Sequence, residues 1–184
     1  DPTKVIIENG RYYVWYTRRS TPTVPQGAEK CTDTIPSTDW DLAEIWCAMS
    51  EDGLTWKEQS VAVPRPSKPH PGWRSVATSG ILRFEGKYYL YYQGFMEASG
   101  TRGDDKTRGD DCPVAVSYAD SPEGPFHLIA DSRDRPLLDT IDAEVFVDDD
   151  GQEYLFSNHR RVWRMNENLT GVVGEPITIP TKRQ

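Results

Sequence analysis

The sequence predicts an all-β protein built as a β-propeller, on three observations. A glycine followed by an aromatic-rich run occurs three times in the same order, each copy sits in the same succession of strand and turn signals, and no segment between them has amphipathic helical character. A β-sandwich would also explain alternating strands. It would not explain why one four-strand pattern recurs with its aromatic second strand in place.

The repeat is clearest in that second strand. Gly10-Arg11-Tyr12-Tyr13-Val14-Trp15-Tyr16 is echoed by Gly86-Lys87-Tyr88-Tyr89-Leu90-Tyr91-Tyr92 and, more weakly, by Gly151-Gln152-Glu153-Tyr154-Leu155-Phe156-Ser157. Aromatic and β-branched side chains suit a buried, pleated surface. A first strand precedes each glycine, at 4–7, 80–84 and 144–147, joined through Glu8-Asn9-Gly10, Glu85-Gly86 and Asp148-Asp149-Asp150-Gly151. Glycine supplies the positive φ that such hairpins need. Third strands are expected at 44–50, 113–119 and 161–165, and fourth strands around Trp56, Phe126 and Ile177.

Each unit of about 60 residues therefore reads as one four-stranded blade. The blades divide a single domain at 1–66, 67–133 and 134–184. A closed propeller uses roughly 4 to 8 blades, so three imply a partial ring. The outer two would leave apolar faces open, lined by residues such as Val14, Tyr16, Leu155 and Phe156, which predicts self-association or a second chain completing the propeller. Two long loops, 18–42 and 94–111, both join second to third strands and would wall a pocket on the ligand face. The tandem Arg-Gly-Asp-Asp in the second reads as a solvated insertion.

Composition narrows the partner. With 21 Lys and Arg against 29 Asp and Glu, net charge −8, the chain lacks the basic face that nucleic acid requires, and it has no apolar run of membrane-spanning length. Cys31, Cys47 and Cys112 make neither a disulfide framework nor a CxxC zinc pair. Cys47 fits an apolar strand as a small core residue, and Cys31 and Cys112 could bridge only if the fold joins their loops.

With these motifs in place, the sequence resembles the five-bladed β-propeller glycoside hydrolases of families 117 and 43. Asp1-Pro2-Thr3 with the strand Tyr12 to Thr17, Glu44-Ile45-Trp46, the run Ser50 to Gln59, Arg74-Ser75-Val76 and Glu85 to Leu90 resemble family 117, the neoagarooligosaccharide hydrolase family. Thr140-Ile141-Asp142 with the Val145 to Gly151 hairpin resembles family 43, with Ala143 where that family has proline. The resemblance implies an inverting, exo-acting enzyme on plant or algal polysaccharide-derived oligosaccharides, extracellular or periplasmic. Inversion needs a carboxylate to activate water and an acid to protonate the leaving oxygen, the two standing roughly 6.5–9.5 Å apart.

Mapped by blade position, the resemblance implies Asp1 as the base and Asp142 as the modulator of the acid's pKa. The acid itself, a glutamate or a histidine in these families, would come from a fourth blade. Glu144 is a candidate substitute acid or substrate contact. Arg18 and Arg19 could donate hydrogen bonds to sugar hydroxyls or to a carboxylate. Trp73 and Trp40 would either stack on a sugar ring or fill core. Ser75, Thr78 and His159 complete the candidate substrate contacts, while His70 and His127 read as structural. No catalytic metal or other cofactor is expected, although related propellers make a structural calcium conceivable. A non-catalytic carbohydrate-binding propeller, a degenerate enzyme and a glycoside phosphorylase are the alternative readings.

Overall fold

The computed structural model describes residues 1–19, 23–25, 31–37, 39–67, 73–95, 113–130, 137–139, 142–157 and 160–180. Among the described residues, all thirteen elements are strands: β1 (Ile6–Glu8), β2 (Arg11–Arg19), β3 (Ala43–Ser50), β4 (Trp56–Val63), β5 (Ser75–Phe84), β6 (Lys87–Phe95), β7 (Pro113–Ala119), β8 (His127–Ala130), β9 (Leu138–Asp139), β10 (Glu144–Val147), β11 (Glu153–Ser157), β12 (Arg161–Met165) and β13 (Val172–Thr178). They form three antiparallel sheets of order β1-β2-β3-β4, β5-β6-β7-β8 and β10-β11-β12-β13. Each sheet carries one copy of the repeat, and together they are blades of a propeller.

The hairpins between first and second strands follow from local chemistry. Asn9 and Gly10 have φ of 50° and 75°, and Glu85 and Gly86 have 48° and 78°. Positive φ at both central residues is the type I′ geometry whose twist matches the flanking strands. The motif running from Ser50 to Trp56 is likewise a turn device. The Asp52 carboxylate accepts from Leu54 N at 2.8 Å and Thr55 N at 2.7 Å, and these backbone bonds hold its pKa below the usual range.

Period-2 alternation divides each blade into two faces. Tyr13, Trp15, Ile45 and Cys47 turn to the second blade and pack with Val76, Tyr88 and Leu90. On the other side of the second blade, Tyr91, Val114 and Val116 meet Val145, Leu155 and Trp163 of the third. The fully buried Tyr91 also donates to Leu169 O at 3.2 Å, and burial drives its phenol pKa upward. Leu155 thus seals the interface with the second blade, contrary to the expectation that it lines an open face. Alternation instead turns Phe146, Tyr154 and Phe156 outward, where Phe146 stacks on Tyr154 at 5.4 Å.

Three further details differ from the sequence expectation. β1 begins at Ile6 rather than Lys4, for a reason that bears on the site. β5 starts five residues earlier than expected, at Ser75. β9, within the span assigned to the third blade, pairs with β7 of the second through Pro113↔Asp139 and Val114↔Leu138. Cys47 is buried core, and burial pushes its thiol up to about 12. Cys112 and the Arg-Gly-Asp-Asp repeat lie outside the described residues.

Candidate active site

The strand register relates the two candidate aspartates. Pro2 bridges to Tyr16, whereas Ile6 pairs with Tyr13, so the inner strand carries one residue more than its partner between those points. In β5, Thr78 pairs with Tyr92 and Gly80 with Tyr91, leaving Ser79 as the extra residue. Both are bulges, which bend a strand and re-aim its side chains. Tyr16, Tyr92 and Ser157 each stand six residues after their hairpin glycine. Their partners are therefore equivalent: Pro2, Thr78 and, extending the Glu144↔Phe156 register by one residue, Ala143. Asp1, Ala77 and Asp142 occupy the same place on three blades.

Hydrogen bonds hold the Asp1 backbone, and close packing holds the Ala143-Glu144 segment, against one stretch of β5. The Asp1 carbonyl accepts from Thr17 N at 3.2 Å and from Thr78 Oγ1 at 2.5 Å, and Thr78 N donates to Thr17 Oγ1 at 3.0 Å. Two residues along, a Cβ on Gly80 would lie 2.9 Å from Ala143 O and 3.1 Å from Glu144 Cα. Only a glycine admits the third blade so close. Asp1 is anchored at Thr78 and the Ala143-Glu144 segment, just after Asp142, abuts Gly80, so the two strand entries flank residues 78–80. Both aspartates are exposed, and Asp142 has φ of 55°, a left-handed conformation that Asp accepts more readily than most residues.

The other candidates divide. Thr78 is buried and ties the Asp1 backbone in place. Ser75 is buried at the start of β5, its hydroxyl without a hydrogen-bond partner among the described residues. Arg19 shares the Trp15 side of β2 and lies 3.8 Å from Asp39. Arg18 falls on the opposite side, stacked over Trp46 at 4.5 Å and paired with Glu58 at 2.8 Å, because one step along a strand reverses the face. Trp73 is core, 3% exposed, so of the two roles open to it the packing one holds; Trp40 is exposed. The Glu144 carboxylate faces Lys4 at 2.9 Å. His127 packs against Tyr118 at 5.6 Å, and His159 and His70 lie outside the described residues.

Sequence reasoning missed two features. The first is Lys4, whose Nζ reaches both Glu144 and Val145 O, the latter at 2.8 Å. The second is Asp41, at the end of the long first-blade loop. Its carboxylate accepts from Arg74 Nε at 2.5 Å and from Ser37 N and Oγ at 2.8 Å each, and Leu42 N donates to Arg74 O at 2.8 Å. Burial opposes its ionisation, but Arg74 and Ser37 outweigh burial and hold the pKa below the ordinary value. The same cluster borders Cys31, whose thiol is pushed up to about 11 by burial and then by the Asp41 charge. A cleft of 680 Å³ lies at the hairpin end of the second and third blades, beside Glu85, Gln152 and Arg164, away from the aspartates. Among the described residues, no three His, Cys, Asp or Glu side chains are grouped to hold a metal ion.

Three four-stranded blades, two of them with an aspartate at the equivalent strand entry, define the class as a β-propeller. The sequence model of glycosyl hydrolases family 43 matches residues 14–183. The chain belongs to that family. It is also 49% identical to a family 117 glycoside hydrolase from the marine bacterium Zobellia galactanivorans, with a TM-score of 0.70 over 89% of this chain and 50% of that one. An α-L-arabinofuranosidase of Clostridium thermocellum aligns at 24% identity and TM-score 0.65, over all of this chain and 56% of that one. A family 43 protein of Bacillus licheniformis, at 19% identity and TM-score 0.65, is spanned over 32% of its length and shares the fold. The chain thus spans about half or less of these relatives. No curated protein matches it.

Proposed function

We propose that this chain forms part of an inverting, exo-acting glycoside hydrolase that removes terminal sugars from plant or algal polysaccharide-derived oligosaccharides outside the cytoplasm. The observation that carries the reading is the equivalence of Asp1 and Asp142 at strand entries flanking residues 78–80. Asp1 acts as the base that deprotonates the attacking water. Asp142 is the negative charge that raises the pKa of the proton donor, and that donor comes from a further blade. The marine source of the family 117 relative and the arabinofuranosidase activity in another relative's name favour oligosaccharides of algal or plant origin.

The test is to incubate the full-length protein with neoagaro-, arabino- and xylo-oligosaccharides and follow the first-released anomer by proton NMR. Loss of one terminal unit with inverted configuration is expected. Binding without turnover would make the protein a carbohydrate-binding propeller, and turnover only with phosphate would make it a phosphorylase.

A further inference from the structure

The register that equates Asp1 with Asp142 also equates Lys4, Gly80 and Glu144. Gly80 pairs with Tyr91 and Glu144 with Phe156, and continuing Ile6↔Tyr13 by two residues sets Lys4 opposite Trp15. Each partner is the fifth residue after its hairpin glycine. The inner strands therefore present a cation, a bare backbone and a carboxylate at one level. With no side chain at Gly80, where a Cβ would stand 3.2 Å from Glu144 Cδ, Lys4 reaches across to the third blade. Its ammonium lies 2.9 Å from Glu144 Oε1 and donates to Val145 O at 2.8 Å.

Energetically the pair is modest. The two side chains are 42% and 40% exposed, and pairs so open to water contribute little to stability. Glu144 Oε1 itself is buried and meets no aligned hydrogen-bond donor, so its pairing is one of charge. The value of the contact is geometric: one ammonium grips both a side chain and a main-chain carbonyl of β10, just after Asp142.

We propose that Lys4 is a positioning residue that pins the entry of β10 and so sets where Asp142 is held relative to Asp1. Its catalytic consequence rests on the hydrolase reading, whereas the pin rests on geometry alone. The experiment compares Lys4→Met and Lys4→Arg in the full-length protein by hydrogen exchange over residues 143–147 and by steady-state kinetics. Lys4→Met should speed exchange in that segment and lower kcat roughly 10- to 100-fold through a misplaced group, with KM moving less than about twofold. Lys4→Arg should restore a substantial part of both. Unchanged exchange, an unchanged kcat, or equal and blade-wide acceleration in both variants would overturn the proposal. If the wild-type protein turns over no glycoside, the hydrolase reading falls and exchange alone decides the pin.

Discussion

Replacing Asp41 by alanine should destabilise the protein by about 3–5 kcal/mol, the usual cost of breaking a buried ion pair from one side. The magnitude follows from the surroundings. The Asp41 side chain is 2% exposed and that of Arg74 15%, so the truncation strands a largely buried guanidinium and removes the acceptor for both Ser37 bonds. Asp41→Asn keeps shape and some hydrogen bonding, and should cost about 1–3 kcal/mol. Glu58→Gln is the control, because the Arg18–Glu58 pair is 41% and 47% exposed and should lose under about 1 kcal/mol. The assay is urea unfolding of the full-length variants across pH. The folded Asp41 pKa is depressed, so its contribution is complete above the unfolded value of about 3.9 and is lost as pH falls through the folded value. Asp41→Asn should lack that acid-side loss. A cost for Asp41→Ala no larger than that for Glu58→Gln would refute the reasoning.

Three other outcomes are expected. Gly80→Ala places a Cβ 2.9 Å from the Ala143 carbonyl, a main-chain atom that cannot swing aside, and should cost about 1–3 kcal/mol in denaturant unfolding. Tyr91→Phe removes the buried bond to Leu169 O and should cost about 1 kcal/mol by the same measurement. Residues 1–184 expressed alone should sediment as species larger than 20.9 kDa, since the Val14, Tyr16 and Trp46 side of the first blade and the Phe146, Tyr154 and Phe156 side of the third are only partly covered.

The strand succession was legible because hairpin glycines and aromatic second strands are local signals. Strands β7, β10 and β12 lie where the pattern sets them, and Asn9-Gly10 adopts the turn that its composition demands. What local patterning could not give is contact between blades. Lys4 meets Glu144 across 140 residues of sequence, and nothing near either residue announces it. The face of Arg18 follows from alternation once Trp15 is known to be buried, yet its position just past an aromatic strand points equally to the ligand end. Trp73 reads as a loop residue until β5 is seen to begin two residues later, which draws it into the core.

The central claim is that Asp1 and Asp142 are working carboxylates at equivalent blade positions, and the kinetics of Asp1→Asn and Asp142→Asn in the full-length protein test it most directly. Asp1→Asn should lower kcat roughly 10²- to 10⁴-fold on a turned-over oligosaccharide, as loss of a general base does, with binding retained. Asp142→Asn should shift the basic limb of the kcat profile to lower pH, because the donor loses the negative charge that raises its pKa. Activity of Asp1→Asn within about tenfold of wild type would contradict the account, since no general base is lost so cheaply.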